Sequence, residues 1–485
     1  MVAAWLLNPE RIGKTPYALE HLAETKLGIS GIEYDDIVGK GQTFADVPLD
    51  VATNYCAEDA DFTWQLYELF APQLTANKLD ALFFSIEMRL LPILAEMELN
   101  GIHVDSDALA AYNEELTARI ADAEKAIYKE IGHEFNIAST KQLQEILFEE
   151  RQLPKGKKTK TGYSTDTSVL EELALIDAVP QLILAYRELT KLQSTYVETL
   201  PKLCDEHGRV HTSFFQTGTA TGRLSSRDPN LQNIPIRNDD GRRIRAAFTA
   251  APGTVLISAD YSQIELVVLA HLSQDKNMCR AFTDGVDIHR ATAALIFGVA
   301  EDQVTADMRR TAKTINFGVI YGMSAFRLAH QLGIPRRQAQ EFIDSYFAQY
   351  AAIRNFIEAT VATAEIRGYV ETIFGRRRYI ATINSKNRTE KASAERIAVN
   401  TPVQGSAADI VKKAMIAVDE ALSDAQTGAR LLLQVHDELI LDCPDDTAAI
   451  EKTVAVLHDH MEHAVTLSVP LRISVEYGKN WGAFH

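Results

Sequence analysis

Cysteine is scarce: four in 485 residues, Cys56, Cys204, Cys279 and Cys443, with no CxxC pair. That excludes a cysteine zinc site and fits a reduced intracellular chain. Long apolar runs are missing as well. No stretch reaches the ~18 consecutive apolar residues of a membrane helix. The opening MVAAWLLNPE has a short apolar run with no basic residue ahead of it, so no secretory signal is read. No solenoid repeat is present. A G-x-x-x-x-G-K-[ST] phosphate loop is absent, because Gly13-Lys14-Thr15 has Asn8 where the first glycine would stand. There is no HExxH either, and His458, His460 and His463 lie too close on one helix to aim at one metal, which makes them a surface cluster.

Basic residues are also in the minority, 49 against 66 acids, for a net charge of −17. Taken alone this argues against a nucleic-acid partner. The deficit sits in one place. Residues 1–150 hold 27 acids and 10 bases, and residues 151–485 hold 39 of each. The neutral part carries basic clusters at Lys155/Lys157/Lys158/Lys160, Arg242/Arg243/Arg245, Arg309/Arg310/Lys313 and Arg376/Arg377/Arg378. Each alone reads as a solvated face. Together they make a polyanion partner plausible, since phosphates respond to the local field rather than to total charge.

With 46% apolar and 24% charged residues the composition is that of a globular enzyme with a large core. The length suggests roughly three domains or subdomains. Helical patterns run over Asp59–Phe70, Ala81–Leu99, Asp107–Ile131 and Gln181–Leu200, the last opened by Pro180. Between the last two, KGKKTKTGYST reads as a mobile basic loop. Thr254–Ala259 is a buried strand ending in Asp260, followed by a helix over Gln263–Leu272. Val304–Leu332 is mainly helical, weakened at Gly318 and Gly322. Arg430–Val435 and Glu438–Asp442 form a hairpin across His436-Asp437. The class is α+β, with a small sheet and many helices.

Three groupings carry chemistry. Asp260 and Asp437 both stand at strand ends, with Glu438 beside the second, so the two acids could meet at one sheet edge. Paired carboxylates hold two Mg²⁺ ions about 4 Å apart in enzymes of in-line phosphoryl displacement. Arg309, Lys313, Phe317 and Tyr321 recur every fourth residue, which keeps them on one helical stripe. Such a stripe reads equally well as a solvated face running into a core aromatic pair, or as cations for a triphosphate and rings for its base. The segment TGTATGRLSSRDPNLQNIP (217–235) reads as a surface loop. Its Arg223, Ser225, Ser226, Gln232 and Asn233 also suit hydrogen bonds to sugar, phosphate or minor-groove acceptors.

VLISADYSQIELVVLAHLS (255–273), RRTAKTINFGVIYGMS (309–324) and LLLQVHDELIL (431–441) resemble the three polymerase motifs of the A-family DNA polymerases, in their bacterial form. GVDIHRATA (285–293), FGRRRYI (374–380), NTPVQGSAADI (400–410) and GKNW (478–481) extend the resemblance from about residue 80 to the end. It implies a right-hand fold. The thumb would lie at about 106–205, the fingers at about 270–390, and the palm in 76–105, 206–269 and 391–485. It implies Asp260, Asp437 and the Tyr261 carbonyl as metal ligands, with Glu438 in support. Arg309, Lys313, His289, Phe317, Tyr321 and Gln263 would hold the nucleotide, and Lys313 would serve as leaving-group acid. Glu265 would crowd the 2′ position of the sugar. Arg223, Gln232, Asn233, Asn400, Gln404 and His436 would contact primer and template, with Lys157 and Lys158 on the duplex. The cofactor would be two Mg²⁺ ions, with Mn²⁺ able to substitute. The partners would be primer–template DNA and deoxynucleoside triphosphates, with no membrane, and the protein would be a cytoplasmic, nucleoid-associated monomer.

Two departures accompany the resemblance. Val267 stands where the family usually has Arg. Residues 1–75 resemble only the third motif of a 3′–5′ exonuclease, in Tyr55 and Asp59, while Glu33 and Asp35 are misplaced for the earlier ones. An incomplete, mainly helical exonuclease-like remnant without proofreading is therefore expected. Two rivals remain: a catalytically silent, polymerase-shaped DNA-binding protein, and a single-subunit RNA polymerase, against which Glu265 and the HDE triplet speak.

Overall fold

The computed structural model describes all residues except 11–14, 157, 160–161, 236–237, 321 and 485. The chain divides into two compact units. The first comprises Met1–Leu99, Thr212–Gln232 and Ile257–Tyr477; the second comprises Asn100–His211, Asn233–Leu256 and Gly478–His485.

In the first unit a four-stranded sheet is surrounded by helices. Seven elements position the site: β1 (Thr254–Tyr261), α1 (Ile264–Ser273), α2 (Ala306–Ile320), α3 (Arg388–Ala425), β2 (Arg430–Val435), β3 (Glu438–Pro444) and β4 (Ile473–Gly478). The sheet order is β2-β3-β1-β4. β1 and β3 are nearly continuous apolar runs, as inner strands covered on both faces require. β2 and β3 pair antiparallel with Val435 opposite Glu438, so His436 and Asp437 form a two-residue hairpin loop. His436 has φ +58°, a positive value that a residue with a side chain seldom adopts, and it turns the chain between the two strands.

Four expectations need correction. β1 does not end at Asp260 but runs one residue further, to Tyr261. The acids do not meet at a sheet edge; β3 and β1 are the inner strands, and the acids meet at one end of that pair. The 304–332 helix is two helices: α2 ends at Ile320, and Ala325–Leu332 restarts with Ser324 accepting from the Arg327 N–H. That break follows the glycine weakness read in the sequence. The helix expected to open at Pro180 begins at Ala178, because the Asp177 carboxylate caps the Val179 N–H at 2.8 Å.

The N-terminal part of this unit is helical. Helices Val2–Leu7 and Leu49–Ala76 pack Trp5, Leu66, Phe70 and Leu74 against Leu79, Leu82 and Ile86. α3 carries a run of small residues from Gly405 to Ala408, which lets other segments approach its backbone. A Cβ at Gly405 would stand 2.6 Å from the Thr372 methyl and 3.0 Å from the Thr221 carbonyl oxygen.

The second unit has its own core, with Ile127, Leu143, Leu147, Leu170 and Ile183 fully buried between helices Ser106–Ile131 and Ala178–Leu192 and their neighbours. The basic KGKKTKTGYST segment, read as a loop, contains a short hairpin in which Lys158–Thr159 pairs with Gly162–Tyr163.

Candidate active site

The end of the inner strand pair is where the acids converge. The Tyr261 N–H donates to the Asp437 carbonyl at 3.2 Å, which locks the hairpin loop against the last residue of β1. Burial raises the pKa of Asp260, and the facing Asp437 and Glu438 raise it further. Burial likewise raises Asp437, with Glu265 adding repulsion and Arg223 partly offsetting it. Two half-desolvated carboxylates that oppose each other's ionisation are an electrostatic liability unless a cation lies between them. Glu438 is already engaged, its carboxylate accepting from the Ser258 hydroxyl at 2.7 Å. Tyr261 keeps its ring buried, with its hydroxyl donating to the Met461 carbonyl at 2.7 Å. No three Asp, Glu, His or Cys side chains gather as a metal cluster among the described residues. The strand end thus offers the two carboxylates of Asp260 and Asp437, hard oxygen donors of the kind that suit Mg²⁺.

Two cavities flank this strand end. The smaller, about 50 Å³, is lined by Arg223, Gln232, Glu265, His436 and Asp437, with Lys412 of α3 in its wall. Arg223 and Glu265 form an ion pair across it. Gln232 Nε2 donates to the Gln434 carbonyl at 3.0 Å, and Gln434 in turn donates to the His436 carbonyl. The larger cavity, about 280 Å³, is lined by Gln263, Val267, Asp287, Arg309 and Arg472. Val267 is buried in its wall, so the position read as a departure faces the same space as Arg309. Gln263 sits at φ +58°, immediately before α1, and its side-chain oxygen is buried with no hydrogen-bond partner.

α2 displays Arg309, Lys313 and Phe317 at four-residue intervals. Arg309 Nε is engaged by Asp287 at 2.7 Å, while Lys313 is exposed and Phe317 half-buried. His289 is buried beside them, its ring 5.7 Å from that of Phe317 and its Nδ1 3.0 Å from the Asn316 side-chain amide. Its pKa is lowered to about 4, chiefly by burial, with Lys313 and Arg309 adding to the fall against the pull of Asp287. His289 is therefore neutral at neutral pH. Tyr321 and Lys157 lie outside the described residues.

The expected DNA contacts do not form one cluster. Arg223, Gln232 and His436 share the small cavity with Asp437. Asn400 lines a separate cavity with Met323, Arg327 and Arg396, and Gln404 is half-buried on α3. Asn233 belongs to the second unit, where its carbonyl accepts from the Tyr196 hydroxyl at 2.7 Å. Lys158 is exposed on the short hairpin of that unit.

Ser258, Gln434, Lys412 and Arg472 were not singled out in the sequence, although they line or brace the site. Lys412 could have been noticed as a cation inside a buried apolar helix face. Its partner Glu87 lies 325 positions away, which no local pattern reveals.

The family description DNA polymerase family A matches residues 106–483, and a 3′–5′ exonuclease description matches residues 1–75. The chain belongs to DNA polymerase family A. It is 53% identical over 485 residues to the DNA polymerase I of Treponema pallidum (strain Nichols), covering 100% of this chain and 48% of that one. It is 47% identical to that of Pseudomonas aeruginosa (97% and 52%) and 46% identical to that of Geobacillus stearothermophilus (99% and 55%). The chain thus spans about half the length of the curated relatives it matches. Among solved structures it resembles the POL domain of Pol1 from M. smegmatis, in complex with DNA primer–template and dNTP. That match has a TM-score of 0.89 at 39% identity and covers 99% of this chain and 81% of the other. Its fold is therefore the α+β polymerase fold with a helical exonuclease-like segment at the N-terminus. No described helix is long and apolar enough to cross a membrane.

Proposed function

We propose that this chain is a DNA-directed DNA polymerase, adding deoxynucleotides to a primer 3′ end with release of pyrophosphate. The observation that carries this reading is the meeting of Asp260 and Asp437 at the end of β1 and β3, where the Tyr261 N–H donates to the Asp437 carbonyl and Asp437 raises the cost of ionising Asp260. Asp260, Asp437 and the Tyr261 carbonyl would hold two Mg²⁺ ions, for which Mn²⁺ would substitute. Such ions activate the primer oxygen and stabilise the departing pyrophosphate. Arg309 and Lys313 would bind the triphosphate, Arg309 exchanging Asp287 for phosphate oxygens. Lys313, exposed on α2, would supply positive charge and a proton to the leaving group. Neutral His289 would donate or accept a hydrogen bond there rather than add charge. Phe317 and Tyr321 would pack on the nucleotide, with Gln263 beside its sugar. Glu265, aimed by Arg223, would exclude a 2′-hydroxyl. Gln232, His436, Gln404 and Asn400 would line the path of primer and template. In this reading 76–105, 206–269 and 391–485 are the palm and about 270–390 the fingers. The thumb, about 106–205, would carry Lys157 and Lys158 as duplex contacts, and Asn233 would be a further DNA contact.

Residues 1–75 would not proofread. Asp59 has Tyr55 and the acids Glu20 and Glu58 near it, but Glu58 is committed to the Ile32 N–H at 2.6 Å. A labelled primer on a longer template with Mg²⁺ separates the readings. Extension with deoxynucleotides and an unshortened primer without them supports both statements. A bound but unextended primer favours the silent DNA-binding protein, and a shortening ladder restores the exonuclease.

A further inference from the structure

The exonuclease-like segment reaches into the wall of the polymerase site through one side chain. Trp5, on helix Val2–Leu7, is 1% exposed. Its indole Nε1–H donates to the Thr219 carbonyl at 3.0 Å, and the Thr219 hydroxyl donates to the Arg223 carbonyl at 2.8 Å. Its ring faces two buried cations, Arg376 with Cζ at 4.9 Å and Lys412 with Nζ at 5.3 Å. Lys412 pairs with Glu87 at 2.7 Å; Arg376 pairs with Glu87 and, at 2.6 Å, with Asp409. The cluster is two acids and two bases, all nearly inaccessible. The 219–223 turn is seated directly on it. Gly222 has φ +88°, and a Cβ there would lie 2.5 Å from Arg376 Nε. Lys412, at the other side of the cluster, lines the small cavity together with Arg223, Glu265 and Asp437.

In a low-dielectric interior an ionic cluster held by several paired groups has few alternative arrangements, even with one buried Arg376 nitrogen lacking a hydrogen-bond partner. An indole held over both cations is therefore a fixed point, and its single N–H is spent on the turn that carries Arg223. We propose that Trp5 is a positioning residue for the primer-end cavity, anchoring the 219–223 turn so that Arg223 is presented opposite Glu265. The segment resembling an exonuclease thereby serves polymerisation. This rests on the polymerase reading above.

Trp5→Phe keeps a ring over the cations and removes the indole donor. Thr219→Val keeps the acceptor of Trp5 and removes the hydroxyl link to Arg223. Thermal unfolding and steady-state primer extension, with primer–template varied, are measured for both singles and the double. Each single is expected to lower kcat/KM for primer–template about three- to tenfold, the worth of one ordinary hydrogen bond. Because both act through one path, the double should fall no further than the worse single. A folded single with parental kcat/KM overturns the inference, as does a double that falls by the product of the two. If Trp5→Phe does not fold, Thr219→Val decides: a parental value overturns the inference, and the expected loss supports it. A parental protein that fails to extend primers removes the polymerase reading and this inference with it. A parental protein that extends, alongside indifferent variants, removes this inference alone.

Discussion

Asp437 occupies the second position of a two-residue hairpin loop, and Asp260 the next-to-last position of the strand beside it. Burial and neighbouring acids raise the pKa of both, and at Asp437 Arg223 offsets only part of that rise. Asp437→Asn removes the charge and keeps the shape. It is expected to lower extension by at least about 10²-fold, the scale of a lost electrostatic contact in a transition state, while DNA affinity stays near parental. Glu265→Ala tests a different property. With Arg223 released and the 2′ face of the sugar uncovered, discrimination against ribonucleotides should fall by about tenfold or more, the scale of contacts that carry a kcal/mol or two of specificity. Single-turnover incorporation of matched ribo- and deoxynucleotides reads that ratio. His289 gives a prediction about pH. Its folded pKa, about 4, lies below the ordinary value of 6.5 for the unfolded chain. The unfolded chain therefore binds more protons in that window, so stability is lost as pH falls from about 6.5 toward 4. His289→Gln should flatten the decline of Tm over that range relative to the parent; parallel curves would refute the buried, neutral histidine.

The elements were legible in the sequence where a local pattern sufficed. The β2–β3 hairpin shows because two apolar, leucine-rich runs flank a two-residue gap, and β1 shows as an isolated apolar run. What stayed hidden lies in pairings that cross the chain. The position of β1 between β3 and β4 depends on strands far apart in sequence. The capping of the Ala178 helix by Asp177, ahead of the more conspicuous Pro180, turned on one side-chain hydrogen bond. The buried cluster under α3 joins Glu87 and Arg376 to the neighbouring Asp409 and Lys412 of α3, across gaps in sequence that no local pattern spans. In isolation Glu87, Arg376 and Asp409 each read as an ordinary surface charge. Removing one partner leaves an uncompensated buried charge, so Glu87→Gln should destabilise the fold by about 3–5 kcal/mol. Chemical denaturation measures this, and an unchanged midpoint would show that the cluster relaxes at no cost. Burial raises the Glu87 carboxyl, but Lys412 and Arg376 outweigh it and hold its pKa below the ordinary value.

On the scale of the whole molecule, the charge distribution has a use that the net value hides. The −17 resides in residues 1–150, whereas the rest is balanced and carries the clusters assigned to triphosphate and duplex. DNA affinity should therefore fall with salt although the protein is acidic, because counterion release follows local phosphate contacts. Asp260 and Asp437, from two of the sequence motifs, meet at one strand end, flanked by two cavities, the larger of which is lined by Arg309. The measurement that tests this most directly is primer extension with Mg²⁺ by the parent and by Asp437→Asn, with primer–template binding followed in parallel. The account predicts full-length product from the parent and bound but unextended primer with the variant. Comparable extension by both would contradict the placement of the chemistry on Asp260 and Asp437.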